Sequence, residues 1–166
     1  MLNQAPLLSV HNLSLEYSTR KGPISAIDRV SFDLPQGEAL GLVGESGCGK
    51  TTLAMTLLRL LPENARVTAG EIRVEGRDLL TMSEAQVRDV RWARIAMVFQ
   101  AAMNALDPVY TVGDQILEAI YRHQTAASAE DAAARVAQLF QLVGIDPTMA
   151  ARYPHEFSGG MRQRAV

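Results

Sequence analysis

Gly44-Glu-Ser-Gly-Cys-Gly-Lys-Thr51 is the stretch of sequence that decides the fold. It fits the pattern G-x-x-x-x-G-K-[ST] at every position. The glycines let the backbone curl so that successive N–H groups point at one phosphate, and a following helix turns its positive end toward the same anion. Lys50 is expected to reach the β- and γ-phosphates, and Thr51 to place its hydroxyl on Mg²⁺. The stretch therefore predicts a nucleotide-binding phosphate loop, the P-loop.

The surroundings of the P-loop argue against a chance match. The apolar run Glu38–Gly44 predicts a buried strand that leads into the loop, and a helical pattern continues from Lys50 to Leu61, where Pro62 stops it. Strand, loop and helix in that order are the setting that the motif requires. The residues predicted to bind the nucleotide here are Gly44, Glu45, Ser46, Gly47, Cys48, Gly49, Lys50, Thr51 and Thr52.

Cys48 is expected to be a small, tolerated loop residue rather than a nucleophile, because no His or Asn stands beside it in the sequence. As the single cysteine of the chain, it also cannot form an internal disulfide. The amino terminus has no basic segment followed by an apolar one, which predicts a cytosolic protein.

Length and composition indicate one ordinary folded domain, with 166 residues of which 48% are hydrophobic. The formal net charge is −2, so the sequence offers no basic surface for nucleic acid. No apolar stretch is long enough for a membrane span. Any phosphate ligand must be held locally, and any role at a membrane must come through a partner.

Short strands and helices alternate in the first part of the chain. Leu7–Tyr17 and Ile24–Leu34 read as an antiparallel pair, and Gly70–Gly76 and Arg94–Gln100 read as further strands, the last of them buried. Ser83–Gln86 is a capping-box pattern that predicts a short polar helix. This alternation indicates an α/β fold.

Beyond about residue 110 the pattern becomes helical. Thr111–Asp114 and Ser128–Asp131 both predict capped helix starts, and the second helix is expected to run to about Val143 and to end at Gly144. The sequence therefore predicts a β region with the P-loop core over residues 1–110 and a helical subdomain over residues 111–166, within a single domain.

The segment Tyr153–Arg164, YPHEFSGGMRQR, resembles the signature motif of ABC-transporter ATPases. Alone, its Ser-Gly-Gly would indicate an ordinary turn and helix cap, but its place behind a helical region downstream of a P-loop favours the signature. The resemblance implies a P-loop NTPase core, and it implies that Ser158, Gly159 and Gly160 bind the γ-phosphate of ATP. A hydroxyl, free backbone N–H groups and a helix dipole make such an anion site physically reasonable.

Two further positions match this family in order along the chain. Met97–Gln100 is similar to the family's Q-loop, which implies a catalytic Gln100 that coordinates Mg²⁺ or water and senses the transmembrane partner. Tyr17 lies where these ATPases place an aromatic residue that stacks on adenine, although a strand aromatic facing the core is the alternative. Trp92 is the competing aromatic residue, and it is expected to pack instead.

The finer resemblance is to ATP-binding subunits of dipeptide, oligopeptide and nickel importers, and it extends across nearly the whole chain. Phe157 and Met161 replace the Leu and Gln of the general signature, as this subfamily commonly does, and Ala101-Ala102 follows Gln100 where an acidic residue and proline are frequent elsewhere. The resemblance implies ATP and Mg²⁺ as cofactors. It also implies a second ATPase subunit, transmembrane permease subunits, indirect contact with a solute-binding protein, and a peripheral location on the cytoplasmic face of the plasma membrane.

Hydrolysis in this family needs an apolar run that ends in Asp-Glu, the Walker B motif, and these 166 residues contain none. The chain is therefore expected to lack core strands and to be inactive and aggregation-prone alone, because sheet edges would stay unpaired. Two hypotheses remain open, an ATPase subunit of an importer or part of one, and a non-hydrolysing nucleotide-binding module. A small-molecule kinase is a distant third. The solute could be a peptide, nickel or an oligosaccharide.

Overall fold

The computed structural model of the protein describes residues 5–99, 105–123 and 125–166. The chain separates into two compact units, Met1–Ala96 and Met97–Val166. The sequence-based division near residue 110 stays a prediction. Among the described residues, the helices are too short or too polar to cross a bilayer.

A four-stranded antiparallel sheet forms most of the first unit, in the order β2-β1-β3-β4. The antiparallel pair expected from the sequence is confirmed, and the third strand begins at Ala65, earlier than the expected Gly70. The strands are β1 (Leu8–Thr19), β2 (Gly22–Leu34), β3 (Ala65–Val74) and β4 (Arg77–Asp78).

The core of the first unit lies on one face of this sheet. Val10, Leu13 and Leu15 of β1 and Ile72 of β3 are fully buried there. The helix that follows the P-loop, α1 (Lys50–Leu57), buries Leu53 in the same cluster. Apolar burial therefore holds the P-loop helix against the sheet.

The two strands predicted for residues 38–44 and 94–100 are not formed where the structure describes them. Residues 38–45 and 96–99 have no regular structure, and only an isolated bridge joins Arg91 to Ile95. Val43 is 94% exposed and Val98 is 80% exposed. A buried strand needs hydrogen-bonded neighbours along its length, and the described residues form no such ladder with either segment. This exposed apolar surface is the physical basis on which aggregation is predicted.

The P-loop helix ends earlier than the sequence predicts. It stops at Leu57 rather than Leu61, because Arg59 takes a left-handed conformation with φ 51° and the Leu60 N–H turns back to Met55 O at 2.9 Å. A proline after the helix suggested its end, but the turn before Pro62 decides it.

The helix predicted after Ser83 is confirmed as α2 (Glu84–Val90). The Ser83 hydroxyl accepts from the Gln86 N–H, and the Gln86 side chain accepts from the Ser83 N–H, which completes the capping box. Trp92 follows α2 with φ 67° and is 69% exposed, so the expectation that it packs in a core is wrong.

In the described part of the second unit, three α-helices surround the core: α3 (Val112–Arg122), α4 (Ala129–Leu142) and α5 (Gly159–Ala165). The buried residues are Val112, Ile120, Ala132, Val136, Phe140, Ile145 and Phe157. The helix starts predicted at Thr111 and Ser128 are confirmed, since each side-chain oxygen accepts a hydrogen bond from the backbone N–H of the residue three positions later. Each hydroxyl also donates to the aspartate at that position.

The end predicted for α4 is confirmed at Gly144, which takes φ 68° as glycine does readily at this position. The Ile145 N–H then donates back to Phe140 O at 2.9 Å, and the Ile145 side chain is buried beside Phe140. This closure begins the path toward the signature segment.

Candidate nucleotide-binding site

The P-loop wraps around the ammonium group of its own lysine. Lys50 Nζ donates to Gly44 O at 2.8 Å and to Glu45 O at 2.6 Å, and it lies 3.4 Å from Cys48 Sγ. The loop thereby holds its single cation at its centre, where a bound anion would meet it.

Gly49 is the position at which the loop becomes a helix. It precedes α1 with φ 96°, and a Cβ on it would lie 2.6 Å from Ala26 O of β2. A side chain here would push the start of α1 away from the sheet. The second glycine of the motif is therefore required both by its backbone conformation and by this close approach.

The amino end of α1 offers donors that suit a phosphate. Its first helical hydrogen bond runs from Leu53 N to Gly49 O at 2.8 Å, so the N–H groups of Lys50, Thr51 and Thr52 precede it. No side chain caps this end, and its first turn contains no acidic residue. These N–H groups, the Lys50 ammonium and the Thr51 hydroxyl fit an anionic phosphate group, and the hydroxyl oxygen is a ligand type that Mg²⁺ accepts.

Tyr17 stands beside the P-loop helix. Its hydroxyl lies 3.3 Å from Thr52 Oγ1, within hydrogen-bonding distance, and its ring is partly exposed. A cavity of about 430 Å³ lies next to it. The cavity is lined by Tyr17, Thr51, Thr52, Met55, Leu60, Leu61 and Pro62.

The apolar wall of this cavity was not predicted from the sequence. Met55 could have been found, because it follows Thr51 and Thr52 at the four- and three-residue spacings that share one helix face. Leu60–Pro62 could not, because their place depends on the early turn at Arg59.

In the second unit, Ser158 is the N-cap residue of the signature helix α5. Its hydroxyl accepts from the Met161 N–H at 3.3 Å, and Ser158 and Gly160 are both exposed. The preceding Phe157 is 4% exposed and meets Phe140 edge to face, with ring centroids 6.3 Å apart. Phe157 therefore anchors the segment to the core while Ser158 stays at the surface.

A 3₁₀ turn, Pro154–Glu156, fixes the approach to this helix. The Glu156 carboxylate accepts from the Tyr153 N–H at 2.8 Å and from Arg152 Nη1 at 3.1 Å. The Tyr153 hydrogen bond first, and the positive charge of Arg152 after it, lower the pKa of Glu156. The charged carboxylate thus stabilises the backbone turn before Phe157.

The predicted site residues therefore fall into separate groups. Tyr17 and Gly44–Thr52 lie together in the first unit, whereas Ser158–Gly160 belong to the second. Gln100, predicted as the catalytic and Mg²⁺-binding glutamine, lies outside the described residues.

Comparison with known proteins shows which family this chain belongs to. The family model described as ABC transporter matches residues 27–166. The chain belongs to the ABC transporter family. Its α/β class, with an antiparallel β region and a helical part, agrees with that membership.

Among the relatives of this family member are ATP-binding proteins of peptide transport. The dipeptide transport ATP-binding protein DppD of Bacillus subtilis (strain 168) is 46% identical over 163 residues, which cover 96% of this chain and 48% of that protein. The probable peptide ABC transporter ATP-binding protein y4tR of Sinorhizobium fredii (strain NBRC 101917 / NGR234) is 47% identical over 163 residues, which cover 96% of this chain and 48% of that protein. The chain spans about half the length of these curated relatives.

Solved structures confirm the fold. The dimeric structure of MJ0796, a bacterial ABC transporter cassette, superposes with a TM-score of 0.77 at 22% identity, and the match covers 95% of this chain and 66% of that one. The ATP-binding cassette MJ0796 in a post-hydrolysis state, bound to ADP and Pi, gives a TM-score of 0.76 at 22% identity.

Proposed function

We propose that this chain provides the P-loop and signature segments of an ATP-binding subunit that powers the import of peptides by an ABC transporter. The observation that carries the proposal is the donor set at the start of α1, where Lys50, Thr51 and Thr52 present N–H groups beside the Lys50 ammonium. The names of the relatives, which refer to peptide transport, support the substrate class.

Each group of site residues has one task in this proposal. Lys50 and the loop amides hold the β- and γ-phosphates of ATP, Thr51 supplies an oxygen to Mg²⁺, and Tyr17 supports the adenine. Mg²⁺, when bound, neutralises part of the phosphate charge. Gln100 completes the metal and water contacts as a proposed catalytic residue.

Two ATPase subunits are proposed to face each other, identical or different, so that Ser158–Gly160 of one meets the nucleotide held by the P-loop of the other. Nucleotide binding then favours closure of the pair. Permease subunits receive this motion, and a solute-binding protein delivers the peptide to them. The subunit is thereby placed peripherally at the cytoplasmic face of the plasma membrane.

Peptide uptake by cells tests the transport role. Cells without the gene for this chain are expected to take up a labelled dipeptide or oligopeptide several-fold more slowly than the parent. Restoring the gene should restore uptake, whereas a Lys50→Ala version should not, because the P-loop loses its cation. Unchanged uptake in the deletion strain would contradict the transport role, and retained ATP binding by the chain would then favour the nucleotide-binding module.

A substitution at Tyr17 tests the proposed adenine contact. Tyr17→Ala is expected to weaken ATP binding about tenfold, because stacking on an aromatic ring contributes about 1–3 kcal/mol. Tyr17→Phe is the matched control. It keeps the ring and loses only the 3.3 Å contact with Thr52 Oγ1, so its affinity should stay close to that of the parent. Titration with a fluorescent ATP analogue measures both, and equal affinities for the two variants would rule out stacking.

A further inference from the structure

Two arginines outside the sequence motifs hold the carboxyl end of the P-loop helix in place by hydrogen bonds. Arg91 Nε donates to Leu58 O at 2.7 Å, and Arg91 Nη2 donates to Arg59 O at 2.9 Å. Leu58 and Arg59 directly follow α1, at the end where the helix carries its partial negative charge. The Arg91 guanidinium therefore caps α1 at the end opposite to the P-loop.

Arg59 joins the same end of α1 to the segment that follows β4. Its guanidinium donates through Nη1 to Leu79 O at 3.0 Å and to Met82 O at 2.6 Å, while its own backbone takes the left-handed conformation with φ 51°. These bonds hold in place a backbone conformation that is uncommon for a residue with a side chain. Arg59 and Arg91 together are called the arginine clasp.

The clasp ties α1 to α2 because Arg91 itself is well fixed. The Arg91 N–H donates to Val87 O at 2.9 Å at the end of α2, and Arg91 Nη1 donates to Glu84 Oε1 at 2.8 Å. The Arg91 side chain is only 17% exposed, so solvent competes weakly for these bonds. The three nitrogens of this planar guanidinium each serve a different acceptor, whereas a lysine would have to reach all three acceptors from one nitrogen.

The position of this end matters because α1 is short. It has eight residues and is therefore about 12 Å long, with Leu53 and Thr56 as its buried residues. A helix of two turns moves nearly as one body, so loosening its carboxyl end also moves the N–H groups of Lys50 and Thr51 at its amino end.

We propose that Arg91 is a positioning residue for nucleotide binding, which orients the phosphate-binding end of α1 through the arginine clasp. Arg91 acts without touching the nucleotide. The inference rests on the proposed binding of ATP at the P-loop, and it adds a determinant of affinity that lies at the far end of the helix.

The test compares ATP with adenosine. Arg91→Ala in the full chain is expected to weaken binding of Mg²⁺ and a fluorescent ATP analogue about five- to tenfold, at the lower end of coupling between separate sites. Adenosine, measured by displacement of the analogue, should bind as tightly as to the parent, because it lacks the phosphates that the displaced amides contact. The affinity of Arg91→Lys for the ATP analogue should lie between those of the parent and Arg91→Ala, since lysine keeps the positive charge and loses the planar fork of donors.

The control removes the same charge from α2, the helix that Arg91 directly follows. Arg88 is exposed on α2, and Arg88→Ala should leave both affinities unchanged. All titrations are made well below the melting temperature of each variant. If Arg91→Ala lowers only the melting temperature, or weakens adenosine as much as ATP, the clasp is merely structural and the proposal is overturned. If Lys50→Ala also binds ATP as tightly as the parent, the proposed function fails, and the positioning role fails with it.

Discussion

Replacing Lys50 with alanine is expected to weaken ATP binding by about 10- to 100-fold. A hydrogen bond to a charged group contributes about 1.5–3 kcal/mol, and each 1.4 kcal/mol is a factor of ten in affinity. Lys50 Nζ already lies against Gly44 O and Glu45 O at the centre of the P-loop, so its charge is placed before the phosphates arrive. Such preorganisation reduces what binding costs.

Titration of each variant with Mg²⁺ and a fluorescent ATP analogue checks this expectation. Lys21 is the only other lysine in the sequence and lies exposed in the turn between β1 and β2, so Lys21→Ala removes the same charge far along the chain. It should leave affinity unchanged. Lys50→Arg tests geometry as well as charge, because a planar fork does not replace a compact ammonium. Equal losses for Lys21→Ala and Lys50→Ala would show a general charge effect and no P-loop site.

Gly160→Asp is expected to abolish the ATP-dependent association of this chain with a second copy. In the proposed pair, the first turn of α5 meets the phosphates held by a second chain, and a carboxylate there repels them. The fold should tolerate the change, because a Cβ at Gly160 meets nothing within 4 Å. An acidic residue in the first turn of a helix is also favourable for the helix itself.

Sedimentation velocity with ATP, with ADP and without nucleotide measures the association. The matched variant Gly160→Ala adds the same Cβ without the charge and should retain most of the ATP-dependent association. Nucleotide binding by the isolated chain should be the same for both variants, since the P-loop is unchanged. ATP-dependent association that persists in Gly160→Asp would contradict a phosphate contact by the signature segment.

Local signals made much of this fold predictable. The helix starts at Ser83, Thr111 and Ser128 depend on a side chain and a backbone N–H three residues apart, so the sequence contains the whole interaction. The end of α4 at Gly144 is local in the same sense, because a left-handed residue and one backward hydrogen bond produce it.

Predictions that depended on distant neighbours were less successful. The apolar runs at residues 38–44 and 94–99 have the composition of buried strands, yet among the described residues neither run forms a strand. The composition of a segment indicates that it is suited to burial, but the presence of hydrogen-bonded neighbours decides whether it forms a strand. The predicted end of the P-loop helix was wrong for a related reason, since the turn at Arg59 is held by carbonyl groups of Leu79 and Met82.

By itself, the sequence determined the P-loop pattern and the helix caps, because each depends on residue types at fixed spacings. The alternation of strands and helices indicated the α/β class, and the resemblance of the signature segment indicated the ABC transporter family. Only the tertiary structure showed that Gly49 lies against Ala26 O, that Leu60 lines the cavity beside Tyr17, and that Arg91 caps the P-loop helix. These contacts join segments that are distant in sequence. Their existence depends on how the chain packs around its cores, and no local pattern of residues encodes that packing.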